Sequence, residues 1–165
     1  MKRICAGLLF TVCIAGCSPE YNWREVAVGD DVGLVLFPDK PRVETRTLEF
    51  SGQQVRFTLT TAEVGGSIFA VGHAPWPQAM QADEQLRREL GHAVISSLYR
   101  NLGGEAPAEL PAFGESFDVE GSSMQLQARV WLSRQALVEG MVMGPTEDFP
   151  SAAAGEFLDS VAKGR

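Results

Sequence analysis

"ADEQLRRELGHAVISSLYRNLGG", Ala82–Gly104, decides how the rest of this chain is read. Leu86, Leu90, Val94, Leu98 and Leu102 recur every fourth residue, and Ala93 and Ile95 widen the stripe. Arg88, His92 and Ser96 fall on the opposite side. A period near 3.6 predicts an amphipathic helix laid on a core. Asp83 and Glu84 stand at its positive end and Arg100 near its negative end, as the helix dipole favours. Gly103-Gly104 supplies the left-handed stop. Gly91 in the middle costs up to ~1 kcal/mol relative to alanine, so a close approach to the sheet is the expected reason for it.

On either side of this helix the period changes to two. In "QVRFTLTTAEV", Val55, Phe57 and Leu59 alternate with Arg56, Thr58 and Thr60, the pattern of a half-buried strand. "RVETRTLEF", Arg42 to Phe50, is rich in β-branched residues, and Ser51-Gly52-Gln53 joins the two as a hairpin over Arg42 to Val64. Gly65-Gly66 turns the chain into a third strand, Ser67 to Ala74. "VGLVLFP", Val32 to Pro38, is a compact apolar run closed by a proline-rich turn. After the helix, "EAPAELPAFGE" reads as loop because of Pro107 and Pro111. "SMQLQARVWLS" then sets Met124, Leu126, Ala128, Val130 and Leu132 against Gln125, Gln127, Arg129 and Trp131. "QALVEGMVMGP" is more apolar and reads as a central strand. "SAAAGEFLDSVAKG" closes the chain as a short helix, with Ser151 expected as N-cap and Phe157, Leu158 and Val161 inward. Strands, long helix, strands, short helix: the expected class is α+β, an antiparallel-rich sheet covered by one long and one short helix. The 165 residues suit one domain with a sizeable core.

The first sixteen residues are organised differently. Lys2 and Arg3 precede the uncharged apolar run Ile4 to Ile14, the layout of a secretory signal. That run is about half the ~20 residues that span a bilayer, which disfavours a permanent transmembrane anchor. Ile14-Ala15-Gly16-Cys17 resembles the lipobox of bacterial lipoproteins. The resemblance implies cleavage between Gly16 and Cys17, lipid on the Cys17 sulfur, and loss of Cys5 and Cys13 with the signal. A core cysteine or a disulfide to Cys13 is the alternative for Cys17. By the same resemblance to sorted lipoproteins, Ser18 rather than aspartate after the cysteine implies the periplasmic face of the outer membrane, with the inner membrane or the envelope at large as fallback. The expected organisation is signal 1–16, lipidated terminus and tether 17–22, and one globular domain 23–165.

The formal charge is −7, and loss of Lys2 and Arg3 takes it to −9. An acidic body argues against nucleic acid, whose phosphates need a basic face. It also argues against electrostatic adhesion to anionic lipid, leaving lipid chains to hold the protein at the membrane.

"GLVLFPDKP", Gly33 to Pro41, and Phe157-Leu158-Asp159-Ser160 resemble signatures of the PsbP-like, or Mog-type, α/β/α sandwich family. Hairpin, proline-ended strand and long helix follow in the same order. The resemblance implies an α/β/α sandwich and a binding or assembly scaffold more readily than a shared reaction.

Residues for chemistry are few. Of the two histidines, His92 falls on the polar side of the helix, where a solvated histidine is the bland reading. His73 precedes Trp76 in "HAPWP", where a proline-held tryptophan suits an exposed recognition surface or, alternatively, a cap on the core. Neither supplies a metal set, and the acidic pairs Asp30-Asp31, Asp83-Glu84 and Glu147-Asp148 lack calcium-loop spacing. No P-loop, dinucleotide fingerprint, nucleophile elbow or His-Glu-x-x-His is present. The expectation is a non-catalytic envelope protein without metal or cofactor that binds a protein partner. A carrier of an apolar ligand, with Met141, Val142 and Met143 in its wall, is the first alternative. A hydrolase with an unfamiliar site is the second.

Overall fold

The computed structural model describes residues 21–163. The chain is α+β, with a six-stranded antiparallel sheet, a separate two-stranded hairpin and helices. The hairpin pairs β1, Arg24–Ala27, with β2, Leu34–Phe37, around the short α1, Gly29–Val32. The large sheet contains β3, Arg42–Phe50; β4, Gln53–Val64; β5, Ser67–Pro75; β6, Ser116–Glu120; β7, Met124–Leu132; and β8, Ala136–Pro145. Its spatial order is β3-β4-β5-β8-β7-β6, so the two central strands, β5 and β8, come from opposite sides of the long helix. That helix, α3, spans Glu84–Asn101 after the short α2, Gln78–Gln81; α4 spans Ser151–Lys163.

Alternation along β8 shows how the core divides. Leu137, Met141 and Met143 join an apolar cluster containing Leu90, Ile95 and Leu98 of α3. Val138 and Val142 join another, containing Phe157, Leu158 and Val161 of α4 and Val35 and Phe37 of β2. Successive strand residues point to opposite faces, so both faces of this strand are covered and it carries few polar positions. The same division puts Trp131 with α4, and Leu126, Ala128 and Val130 with α3.

Local chemistry fixes the helix ends. The Asp83 carboxylate accepts from the Leu86 N–H at 2.9 Å, an N-cap bond. At the far end Gly103 has φ +79, and the N–H groups of Gly103 and Gly104 donate to the carbonyls of Arg100 and Tyr99. That pair of bonds is a Schellman stop, which requires a left-handed residue. A Cβ on Gly91 would meet the Phe113 ring at 2.6 Å and Leu132 Cδ2 at 3.0 Å. The missing side chain admits a loop aromatic as well as the sheet. In α4, Ser160 Oγ accepts from the Leu36 N–H at 3.0 Å and donates to the Phe157 carbonyl at 2.7 Å. This serine ties the hairpin to the last helix.

Several expectations need revision. The run from Val32 splits, with Val32 ending α1 and only Leu34–Phe37 forming strand. Ser151 is the first residue of α4, and the Ala154 N–H donates to the Pro150 carbonyl. Strands β1 and β6, and helix α2, are additions. The body also begins earlier than residue 23. Tyr21 and Trp23 both pack on Phe69, with ring centroids at 6.3 and 6.4 Å, and the Asn22 N–H donates to the Pro38 carbonyl.

Candidate functional site

Gly16 and Cys17, the expected cleavage and lipidation residues, lie outside the described residues. His73 and Trp76 do not form one surface. His73 is half-buried on the α4 side of β5, in register with Val138, and its ring lies against the Gly29 backbone. Trp76 turns the other way and joins the α3-side cluster at 4% exposure. Its backbone N–H donates to the Gln135 carbonyl and its indole N–H to the Ser133 carbonyl at 3.1 Å. The ring therefore seals the end of the sheet, the second of the two readings of the proline-held tryptophan. His92 is exposed on α3 and stacks on Phe113 at 5.0 Å.

The most open element is β3. Every residue from Arg42 to Glu49 is exposed, including Val43 at 62% and Leu48 at 48%. It pairs only with β4, so its other edge presents backbone N–H and C=O groups with no described strand beside them. Length and exposure on both faces make it a template for an added strand. The register sets Glu44 opposite Leu59, Arg46 opposite Phe57, and Leu48 opposite Val55. On this α3-facing side Glu44, Arg46, Leu48, Phe57 and Leu59 line a mostly apolar cleft of about 270 Å³. An exposed Arg46–Glu44 ion pair at 3.2 Å crosses its rim.

Beside this cleft stands a buried carboxyl that belongs to no sequence motif. Glu139 lies at the centre of β8, opposite Gly72 of β5 and Val130 of β7, and is only 5% exposed. The Phe57 ring tip and Glu139 Oε2 both approach the place where a Gly72 side chain would begin, at 2.6 and 3.0 Å. Gly72 thus makes the room in which a carboxyl group meets an aromatic ring. Burial pushes the Glu139 pKa up to about 7, because the anion has lost its water. A carboxyl poised near neutrality can hold or release a proton, and such groups cluster at functional sites. The signal was present in "ALVEGMVM", a lone acid at the core position of a central strand. Met141 and Met143 are half-buried on the same face.

No described helix is long and apolar enough to cross a membrane. No family model, curated protein or solved structure matches the chain.

Proposed function

We propose that this chain is a non-catalytic lipoprotein, held at the periplasmic face of the outer membrane through Cys17, that binds an envelope protein by adding a strand from its partner to β3. The carrying observation is the nine-residue edge strand, exposed almost throughout and bearing Val43 and Leu48. Alternating Arg42, Glu44, Arg46 and Glu49 keep such an edge soluble and give a partner strand charges that set its register. The anchor rests on the Ile14-Ala15-Gly16-Cys17 pattern. The body is read as an α/β/α sandwich of the PsbP-like kind, a reading supported by the separate α3-side and α4-side clusters of one sheet.

The test is photo-cross-linking in cells from position 43, with position 156 on exposed α4 as control. A discrete adduct from 43 that is absent from 156 and lost in Cys17→Ser supports the reading. Equal adducts from both positions, or none, overturn it.

A carrier of an apolar ligand is the second reading, favoured by the half-buried Met141 and Met143 on the α3-side face of β8. Native mass spectrometry decides it: a co-purifying lipid-sized mass supports the carrier, and protein of bare mass opposes it.

A further inference from the structure

At the opposite end of α3 from its glycine stop lies a cavity of about 510 Å³, between the first turns of the helix and the β7–β8 turn. Arg87, Arg88 and Arg134 line it, with Phe113 and Leu132 as its apolar wall. We propose that this cavity binds a soluble phosphomonoester carrying an apolar or aromatic body.

The guanidinium groups differ in how far they are already engaged. Arg88 is bound to Glu84 Oε1 through Nε and Nη2, each at 3.1 Å. Arg87 donates one N–H to the Gln81 carbonyl and lies over the Trp76 ring, 5.8 Å from its centroid. Arg134 makes no hydrogen bond or ion pair with any described residue. With Glu84 as the one carboxylate in the lining, the cavity carries a local charge of +2 in a chain whose net charge is −7. A phosphomonoester carries about −1.5 to −2 at neutral pH, which matches that excess. Its oxygens suit the planar donor fork of arginine.

The site is also held in place before any ligand arrives. Ser133 Oγ accepts from the N–H groups of Gln135 and Ala136 and donates to the Ala136 carbonyl, which pins the turn bearing Arg134. The indole N–H of Trp76 fixes the Ser133 carbonyl, while its ring seats Arg87. Trp76 is thus a positioning residue for Arg87 and for the turn, which leaves the Arg134 side chain as the group ordered on binding.

Geometry selects a soluble ligand over a lipid headgroup. Tyr21, where the described chain begins, packs on Phe69 near the start of β5. The cavity adjoins Trp76, beyond the end of that strand and on its other face. Six residues of strand put about 20 Å between the two levels. On the lipid-anchor reading, the chain from Cys17 to Tyr21 spans at most about 14 Å, which turns the Tyr21 end toward the membrane and the arginines away from it. Only this orientation rests on the anchor; binding in the cavity does not.

The test uses the full chain in dodecyl maltoside, titrated calorimetrically with phenyl phosphate and with inorganic phosphate. Saturable one-to-one binding is expected, with phenyl phosphate preferred and both weakened by salt. R134Q should weaken it at least about tenfold, the loss of a charge-assisted bond. R56Q, an exposed arginine on β4, should leave it unchanged. Circular dichroism melts confirm that both variants fold. Absence of saturation at millimolar ligand, or equal effects of R134Q and R56Q, overturns the proposal. So does tighter binding of hexaglutamate, which would make this a site for acidic protein segments. Flotation of full-chain Cys17→Ser with phosphatidic acid vesicles that R134Q abolishes, without calorimetric binding of phenyl phosphate, would assign the cavity to a lipid headgroup and overturn the soluble ligand.

Discussion

Replacing Glu139 with glutamine should stabilise the protein at neutral and alkaline pH and leave it unchanged in acid. In the unfolded chain this carboxyl titrates at its ordinary value of 4.5; in the folded chain it titrates at about 7. Between these values the native state holds a proton that the unfolded state has released. Stability therefore falls as pH rises through the window, because the buried group must either stay protonated or ionise without water. The gap corresponds to about 3 kcal/mol, fully present as destabilisation above pH 7 and absent below 4.5. Glutamine has nearly the same shape and cannot ionise, so the variant lacks this loss. Urea unfolding of both proteins at intervals from about pH 4 to about pH 8.5 isolates the term, since other titrating groups cancel in the difference. The two curves should coincide near pH 4 and diverge to about 3 kcal/mol, or roughly 6–12 °C in Tm for a domain of this size. A difference that stays constant across the range would refute the reasoning.

Further substitutions probe the frame around the sites. Ser160→Ala removes the acceptor of the Leu36 N–H, which should cost about 1–3 kcal/mol; hydrogen exchange at Leu36 should accelerate before exchange in β5 does. Gly91→Ala improves helix propensity by up to ~1 kcal/mol but drives a methyl into the Phe113 ring. The expected balance is a net loss of about 1 kcal/mol or more, with the His92–Phe113 stack displaced, read by thermal melting and by the chemical shifts of the two rings. Val43→Lys, on the exposed edge, should change stability by less than about 0.5 kcal/mol while abolishing cross-linking from position 48, separating binding from folding.

Long, strongly patterned elements were legible in the sequence. The four-residue leucine repeat identifies α3, and the Asp83 cap and Gly103 stop set its ends within a residue. The alternation in β4 and β7 holds in the structure, with Val55 facing the α3 side and Trp131 the α4 side. What escaped was short or non-local. In β6, Phe117 and Val119 alternate with Ser116, Asp118 and Glu120, but five residues after a proline-rich loop give little period to detect. Trp76 between two prolines fits an exposed or a buried ring equally well; only the Ser133 and Gln135 carbonyls across the sheet end decide for burial. The solvent on both faces of β3 depends on how far α3 and α4 reach, which nothing within Arg42–Phe50 encodes. The arginine cavity unites a helix start with a distant turn, and no local spacing announces it. Glu139 is a different case, since a single acid within an apolar strand stands out in the chain's own pattern. Its importance comes from Gly72 across the ladder.

The most direct test of the central claim is hydrogen–deuterium exchange of β3 with the protein in its native envelope, compared with the purified chain in detergent. A strand added to β3 would bond the amides that face away from β4, so exchange over Arg42–Phe50 should slow selectively in the envelope. On the proposed anchoring through Cys17, the Cys17→Ser variant should lose that protection. Equal exchange of β3 in the envelope and in detergent, with the anchored protein intact, would contradict the account.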